Sequence, residues 1–443
     1  MLTVWRLRKG ADVRVRSQHP WVFSNELTES PKGHTPGNPV LLQSHQGHFL
    51  AWGYGNPHSQ IVFRPLSFLE NDSEPWSGEA LKKTLLKAWK ARFQLGYARS
   101  FRLCFGEADM LPGLVVDRYL VRTSKGDFVQ ALVAQILTAG MEVLLKDASA
   151  LLLSVAEQAH RLGYSSLGSD KTAILLRRDV SVRKLEGLEM LPTAVTPAAS
   201  CADVDYAWCD TLVDSVDRQT DLVLTGDLVD GQKTGFFLDQ SENIERLGFH
   251  LQRRPWNQIR AGKPVRILDL CSFAGQWSLK LAHHLKQNGV PVEVCLADVS
   301  SKALQQGELN LSRLGVPVHA RFTDVMKDLA NWEAQSFDVV IADPPAFVKG
   351  RKDLPQGQHA YMKLNEQALR LTAAGGVVAS CSCSGLFTEE DFRQSLNKAI
   401  WRSRRSVQFI TRGGHAADHP IRMSFPEGNY LKMFVHQLAD DSI

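Results

Sequence analysis

The C-terminal half of the chain alternates short apolar segments with amphipathic ones, and this alternation constrains the fold more than any other feature. The segments RILDL, VEVCLADV, FDVVIADPP and GGVVASCS indicate buried strands, and helices are predicted to begin at Gln276, Ser301, Tyr361 and Glu389. Strands that alternate with helices form an α/β, doubly wound (Rossmann-like) parallel sheet. Such sheets bind ligands at the carboxyl ends of their strands, so the residues that end each strand are the informative ones.

The first half of the chain has a different pattern. Short apolar runs broken by Pro and Gly predict a small β-rich module over residues 13–68, and a polar, turn-forming stretch follows at 71–78. Residues 80–95 then predict an amphipathic helix. The part that follows mixes strand-like segments with helical ones, and the helices are predicted around residues 131–162.

Three domains are predicted from these patterns. They are a β-rich domain over 1–70, a mixed α+β domain over 75–195 and the doubly wound domain over 196–443. The first 100 residues hold 13 Lys and Arg against 7 Asp and Glu, although the formal net charge of all 443 residues is only +4. An N-terminal region with excess positive charge is typical of a protein that contacts phosphate groups, and it is equally typical of a solvent-exposed basic helix.

The composition predicts a soluble, cytoplasmic protein. The start of the chain lacks the apolar stretch of a signal peptide, and no segment has about eighteen uninterrupted apolar residues for a membrane span. Seven cysteines, an odd number without an export signal, indicate reduced thiols. No metal is predicted, because no second pair of Cys or His residues completes a tetrahedral site. A homodimer is a further expectation.

The first predicted strand of the doubly wound domain contains Asp269 and runs into a turn suited to a cofactor. Its single glycine fails the G-x-G-x-x-G fingerprint of dinucleotide enzymes, whereas a methyltransferase turn needs one close backbone approach, which Gly275 can provide. Asp298 after the second strand can accept from ribose hydroxyls, and Asp324 after the third from an adenine amino group. Each Asp alone is more often a helix cap or a surface charge than a ligand, but three acids at three successive strand ends favour a cofactor site. The turn consists of Cys271, Ser272, Phe273, Ala274 and Gly275.

Two further strand ends carry candidates for chemistry. Asp343 follows the fourth strand, and the stiff turn made by Pro344 and Pro345 lets its carboxylate face a planar base amide. A rigid loop alone would explain the prolines but not the acid. The fifth strand ends in SCSCSG, which places Cys381 and Cys383 on one face. Most strand cysteines are core filler, but Cys383 stands where a flipped base would lie beside a methyl donor, so a thiol nucleophile is favoured.

A thiol at this position fits methylation of carbon 5 of cytosine. That carbon is not nucleophilic until a thiolate adds to carbon 6, after which it can attack a sulfonium methyl group. A base then removes the proton from carbon 5 and the thiol is expelled. Asp343 is predicted to stabilise the developing charge at ring nitrogen 3, and the base is not evident from the sequence.

Eight stretches of the chain together are highly specific to one family. The chain resembles, over nearly its whole length, the bacterial ribosomal RNA large-subunit methyltransferase I family, which comprises cytosine-C5-specific enzymes with an N-terminal PUA domain. The resemblance implies a PUA domain that helps to hold RNA, a mixed central domain, a class I methyltransferase domain, S-adenosylmethionine as cofactor and large-subunit ribosomal RNA as partner. The stretches are KGADVRVRSQHPWVFSNEL, SQIVFRPLSF, LPGLVVDRY, GQKTGFFLDQ, LDLCSFAG, ADPPAF, SCSGL and AADHPIRMSFPEGNYLK.

The resemblance also implies roles for single residues. It makes Cys383 the nucleophile and places Asp343 in the pocket for the target base. It places the loop GQKTGFFLDQ over cofactor and substrate, with Gln240 as a cofactor residue; an exposed Phe236–Phe237 pair favours this over a plain β-hairpin. The implied substrate-binding residues are Lys233, Thr234, Phe236, Phe237, Pro344, Pro345 and Phe347. The chain departs from the family pattern at Gln232, Ser241, Ala346 and Cys381.

Three other functions stay open at this point. An N2-guanine methyltransferase on the same scaffold needs the acid-Pro-Pro turn but no cysteine, so the role of Cys383 decides between the two functions. A noncatalytic RNA-binding or ribosome assembly factor would keep the scaffold without turnover. A small-molecule methyltransferase would not need the first 100 residues, where Trp5, Trp21 and Phe23 stand among arginines as in RNA-binding surfaces. Trp21 is itself predicted to be structural.

Overall fold

The structure is a computed structural model that describes residues 2–72 and 74–440. The chain forms two compact units, each made of several segments. Unit 1 comprises Met1–Thr211, Asp227–Gly235 and Ala417–Pro426. Unit 2 comprises Leu212–Gly226, Phe236–Ala416 and Glu427–Ile443. In the described part of the chain, every helix is too short or too polar to span a bilayer.

The N-terminal part of unit 1 is the β-rich module that the sequence predicts. Its strands form one sheet in the order β1-β3-β4-β5-β2, in which β1 and β3 run parallel. Apolar side chains such as Leu7, Val40 and Val62 fill its core. Trp5 lies in the same core at 8% exposure, so the predicted stacking role of Trp5 is wrong. The elements are β1 (Thr3–Arg6), α1 (Val13–Arg16), β2 (Val22–Phe23), β3 (Pro39–Gln43), β4 (Phe49–Gly55) and β5 (Ile61–Ser67).

The rest of unit 1 contains a second sheet with helices. Strands β6, β7 and β8 pair antiparallel, β8 pairs parallel with β9, and β9 pairs antiparallel with β10. The elements are α2 (Gly78–Gln94), β6 (Phe101–Phe105), β7 (Leu114–Arg122), β8 (Phe128–Ile136), α3 (Ala139–Leu144), α4 (Ala148–Arg161), β9 (Thr172–Arg178) and β10 (Leu191–Pro197).

Two sequence predictions can be compared with this part of the fold. The amphipathic helix is confirmed as α2, which buries Leu81, Leu85 and Trp89. The helix predicted from residue 131 is wrong for the first six residues, because they belong to β8. Residues 129–136 are all buried, so the strand shows no alternation, and periodicity cannot tell such a run from a buried helix. The domain boundary predicted between 195 and 196 falls inside β10 and stays a prediction.

The remaining elements are β11 (Cys209–Asp214), β12 (Asp221–Gly226), α5 (Ser241–Gln252), α6 (Trp256–Ile259), β13 (Val265–Leu270), α7 (Gln276–Gln287), β14 (Val292–Asp298), α8 (Ser301–Ser312), β15 (Val318–Phe322), β16 (Phe337–Ala342), α9 (Leu354–Leu371), β17 (Thr372–Ser382), α10 (Glu389–Ser403), β18 (Val407–Gly413) and β19 (Lys432–Leu438). Most of them belong to unit 2, and its doubly wound sheet is built from β13 to β19, whereas β11 and β12 are neighbours in a different sheet.

The sheet of unit 2 has the strand order β15-β14-β13-β16-β17-β19-β18. The parallel arrangement is confirmed for β13 to β17, but β19 runs antiparallel to both β17 and β18. The helix predicted to begin at Tyr361 begins at Leu354, because Pro355 can occupy the first turn of a helix. Strand order reverses between β13 and β16, which is where a doubly wound sheet opens its ligand crevice.

Candidate active site

Four candidate residues lie along one edge of the sheet of unit 2. Asp269 is the penultimate residue of β13 and Asp298 is the last residue of β14. Asp343 follows β16 directly, and Cys383 follows β17 directly. Because these four strands are parallel neighbours, their carboxyl ends meet at the same edge. The fold therefore brings the four predicted residues to one edge of the sheet.

The turn after β13 has an unusual backbone. Three of its residues adopt left-handed conformations: Cys271 at φ 61°, Phe273 at φ 47° and Gly275 at φ 74°. A side chain in this region costs roughly 1–2 kcal/mol, which glycine avoids. A Cβ atom at Gly275 would also lie 3.4 Å from the Cα atom of Gly307 in α8. The turn is thus curled tightly against α8 at the start of α7.

Asp298 anchors this turn. Its carboxylate accepts one hydrogen bond from the backbone N–H of Phe273 at 2.9 Å and one from the N–H of Ser300 at 2.8 Å. Each oxygen of a carboxylate can accept about two hydrogen bonds, so the half-buried group has capacity for further donors. Vicinal ribose hydroxyls are donors of the kind that such a carboxylate binds.

Asp269 is fully buried at the centre of the sheet. One of its oxygens accepts from the hydroxyl of Ser278 at 2.8 Å, and the other has no hydrogen-bond partner within the described residues. Burial raises the pKa of Asp269 to about 7, and the nearby carboxylates of Asp343 and Asp298 act in the same direction. An orphaned buried acceptor beside a left-handed turn is a feature that a bound polar ligand completes. The residues present therefore fit S-adenosylmethionine.

Asp324 is satisfied by its own segment. Its carboxylate accepts from the backbone N–H of Met326 at 3.0 Å and forms an ion pair with Lys327 at 2.8 Å. The hydrogen bond from Lys327 lowers the pKa of Asp324. The structure places it after β15 as predicted, and its contact with an adenine stays a prediction.

The side chains of Gln240 and Trp277 both donate to Asp343. The amide of Gln240 donates to its two carboxylate oxygens at 2.9 and 3.0 Å, and the indole N–H of Trp277 donates at 3.0 Å. Asn243 in turn donates to the amide oxygen of Gln240 at 2.6 Å. Gln240 is thus in direct contact with Asp343. Trp277 and Asn243 were missed by the sequence reasoning, since both stand at ordinary positions of amphipathic helices.

Cys383 differs from its neighbour Cys381 in exposure. Cys381 is fully buried within β17, and burial raises the pKa of its thiol well above the usual value. Cys383 is half-buried, and its thiol donates to the carbonyl oxygen of Pro344 at 3.8 Å. The two strand-end turns thus bring the thiol next to the Asp343-Pro344 segment, whereas Pro345 is exposed. Of the two thiols, only that of Cys383 is partly exposed.

Ser384 links the segment that follows β17 to the segment that follows β16. Its hydroxyl is 2.9 Å from the hydroxyl of Tyr361 and accepts from the backbone N–H of Val348 at 3.1 Å. The ring of Phe347 packs on Tyr361 with 4.8 Å between the ring centroids. The segment that carries Asp343 and the segment that carries Cys383 are therefore held in one arrangement.

The predicted loop over the site is divided between the two units. Gln276 holds the backbone of Phe237 by hydrogen bonds of 3.2 and 3.1 Å, and the ring of Phe237 meets that of Phe273 edge-on at 5.4 Å. Phe236 is only 1% exposed, so the prediction of an exposed aromatic pair is wrong for Phe236. Its ring occupies the space beside Gly226, where any Cβ atom would collide with it.

Lys233 and Thr234 belong to unit 1. The hydroxyl of Thr234 is buried, lies 2.9 Å from that of Tyr119 and also bonds the carboxylate of Asp117. The carbonyl oxygen of Lys233 accepts from Arg177 at 2.7 Å. Both residues therefore have structural contacts within their own unit, and their predicted contacts with substrate are untested.

Comparisons with known proteins bear on this site. A PUA-like domain model matches residues 6–68, and a methyltransferase domain model matches residues 262–420. A relative from Photobacterium profundum, named ribosomal RNA large subunit methyltransferase I, is 32% identical over 98% of this chain and 99% of its own length. This chain belongs to that family. Relatives of the same name from Erwinia tasmaniensis and Escherichia coli are each 31% identical over 97% of both chains.

Family membership confirms three predictions made from the sequence. These are the family itself, the α/β methyltransferase fold behind an N-terminal PUA-like domain, and S-adenosylmethionine as the cofactor. The structure of a candidate S-adenosylmethionine-dependent methyltransferase from Streptococcus mutans aligns over 98% of this chain and all of its own, with a TM-score of 0.71 and 16% identity. That likeness concerns the fold alone.

Proposed function

We propose that this chain transfers a methyl group from S-adenosylmethionine to carbon 5 of a cytosine in large-subunit ribosomal RNA, with Cys383 as the covalent nucleophile. The names of the relatives support the class of RNA. One observation carries the choice of base: a half-buried thiol next to the Asp343-Pro344 turn. The amino group of a guanine has its own lone pair, so its methylation would need no thiol at this place.

The thiol solves a specific chemical problem. The Cys383 thiolate adds to carbon 6 of the cytosine, forming a sulfur–carbon bond and pushing the electron pair of the C5–C6 double bond towards carbon 5. S-adenosylmethionine, when bound, supplies an electrophilic methyl group for this carbon. A base then takes the proton from carbon 5, the electrons of that C–H bond restore the double bond, and the thiolate leaves.

Asp343 has the role of holding the base. Its carboxylate is fixed by Gln240 and Trp277, so its position does not depend on the substrate. A proton held between the Asp343 carboxyl group and ring nitrogen 3, donated by the protonated acid, would stabilise the negative charge that develops on this nitrogen when the thiolate adds. Pro344, Pro345 and Phe347 complete the pocket in this proposal.

The residues proposed to bind the cofactor lie at the ends of β13, β14 and β15. Asp269 offers its unsatisfied buried oxygen, Asp298 binds the ribose hydroxyls, and Asp324 receives the adenine amino group. The backbone of the left-handed turn at Gly275 would hold the methionine part of the cofactor. The turn residues proposed for this contact are Cys271, Ser272, Phe273, Ala274 and Gly275. Gln240 is the further cofactor residue that the family resemblance implies.

The PUA-like region and the loop after Gly231 are proposed to bind the RNA. Arg6, Arg8 and Lys9 have exposed side chains that suit phosphate contact. The side chain of Trp21 is used in the fold instead, since its indole N–H donates to Glu107 at 2.9 Å. The loop residues in the proposal are Lys233 and Phe237, because Thr234 and Phe236 are buried.

The test is to identify the methylated base. Wild-type protein, labelled S-adenosylmethionine and unmodified large-subunit ribosomal RNA should give 5-methylcytosine. Cys383→Ser, which keeps the size of the side chain, should give no product while folding normally. A methylated guanine, or a Cys383→Ser variant as active as wild type, would contradict the proposal.

A further inference from the structure

Lys432 is a buried lysine directly behind Cys383. It is the first residue of β19, pairs in register with Ser382 of β17 and is only 5% exposed. Lysine is rarely buried without a specific partner. Its ammonium group donates to the carbonyl oxygens of Ser384 at 2.7 Å and Phe387 at 2.5 Å. Both acceptors belong to the turn that follows Cys383, so the buried ammonium group connects the two ends of that turn.

The charges around this lysine favour an effect on the thiol. Burial lowers the pKa of Lys432 to about 8, while negative charge on Cys383, and on Asp391 and Glu389 of α10, acts against that lowering. Cys383 therefore lies within electrostatic reach of the ammonium group.

Three acids lie close to Cys383 or to the turn beside it. They are the thiol of Cys381 and the phenol of Tyr361, whose pKa values a negative charge on Cys383 raises, and Asp343 next to Pro344, whose carbonyl oxygen accepts from the Cys383 thiol. Lys432, by contrast, carries a positive charge. A nearby positive charge favours the ionised form of an acid, and the thiolate is the form of cysteine that attacks.

We propose that Lys432 is a positioning residue for Cys383, because its ammonium group holds the turn after the thiol and favours the thiolate. The inference rests on the proposed role of Cys383 as nucleophile. Lys432 touches the backbone of the turn and not the substrate, so it acts through Cys383.

The experiment measures the rate at which iodoacetamide alkylates Cys383 in the full chain between pH 6 and 10. Peptide mass spectrometry separates this cysteine from the other six. The variants are Lys432→Met, which removes the charge, and Lys432→Arg, which keeps it. The matched control is Lys280→Met, because Lys280 is also a buried lysine of unit 2 at 2% exposure but lies in α7.

We expect Lys432→Met to move the midpoint of the alkylation profile upward by about 1 unit or more, which is roughly a tenfold slower reaction at pH 7.5. Lys432→Arg should restore at least half of that shift, and Lys280→Met should leave the profile unchanged. A Lys432→Met profile equal to that of wild type would overturn the proposal, and so would an equal shift in the Lys280→Met control.

Lys432→Gln provides a second variant if Lys432→Met does not fold, because its amide can still donate to the turn although the charge is removed. An upward shift of the midpoint relative to wild type supports the proposal, and an unchanged midpoint refutes it. Alkylation requires neither RNA nor cofactor. A failure of this inference and a failure of the proposed methyl transfer are therefore seen in separate experiments.

Discussion

The two sides of the switch point in the unit 2 sheet are built in different ways. On the β13–β14 side, the turn from Cys271 to Gly275 is shaped by its own backbone, and Asp298 anchors it by accepting from Phe273. On the β16–β17 side, side chains from distant parts of the chain converge on Asp343 and Cys383. Unit 2 thus combines a locally encoded turn, proposed to bind the cofactor, with an edge assembled by tertiary packing, proposed to bind the substrate.

This difference teaches which substitutions should separate binding from chemistry. Changes on the β13–β14 side should weaken cofactor binding, because the backbone conformation itself makes the site. Changes on the β16–β17 side should lower the rate of methyl transfer and leave cofactor affinity nearly unchanged, because each side chain there supports Asp343 or Cys383.

The largest effect is expected at Cys383, which follows β17. Cys383→Ala should lower methyl transfer by on the order of 10⁴-fold or more, since loss of a covalent nucleophile removes the whole pathway. Cofactor affinity, measured by calorimetric titration, should stay within about twofold. Cys381→Ala is the matched control, and it should keep turnover because its thiol is buried. Equal losses in both variants would remove the distinction between the two thiols.

A smaller effect is expected at Trp277. Trp277→Phe keeps an aromatic ring but removes the N–H that donates to Asp343. A hydrogen bond to a charged group contributes about 1.5–3 kcal/mol, so kcat should fall on the order of 10- to 100-fold at unchanged cofactor affinity. Trp256→Phe is the control, because this buried tryptophan of the same unit donates instead to the carbonyl of Leu251 at 2.8 Å. Weaker cofactor binding with a normal kcat would show that Trp277 supports cofactor binding and not the rate of methyl transfer.

The smallest effect is expected at Gly275. Gly275→Ala should weaken cofactor binding by on the order of tenfold, because a side chain at φ 74° costs roughly 1–2 kcal/mol and presses towards α8. Gly289 has the same φ of 74°, and a Cβ atom added there would meet no atom of the described residues within 4 Å, so Gly289→Ala should lose stability without losing cofactor affinity. The contrary finding, equal affinities for both variants in a titration, would mean that the turn does not approach the cofactor.

The sequence predicts the locally encoded features well. Asp269, Asp298, Asp343 and Cys383 could be placed because strand ends follow from the alternation of apolar segments, and parallel strands bring those ends together. The direction of β19 could not be predicted, because its pairing with β17 joins residues far apart in the chain. β8 was missed for another reason, since a strand buried on both faces has no period of two.

The contacts that support the chemistry were beyond sequence reasoning. Trp277 reaches Asp343 across 66 residues of chain and Gln240 reaches it across 103. Neither residue type nor spacing marks such partners, because tertiary packing alone brings them together. Lys432 was recognised only as the end of a family stretch, and its burial behind Cys383 appears only in the folded chain.

The most direct test of the account is to trap the covalent complex. RNA that carries 5-fluorocytosine has no proton on carbon 5 for a base to remove, so the thiol cannot be expelled after methyl transfer. Wild-type protein with S-adenosylmethionine should remain attached to this RNA, and digestion should yield the nucleotide bound to the peptide of Cys383. Absence of an adduct from a protein that methylates normal RNA, or an adduct on a different residue, would contradict the role of Cys383.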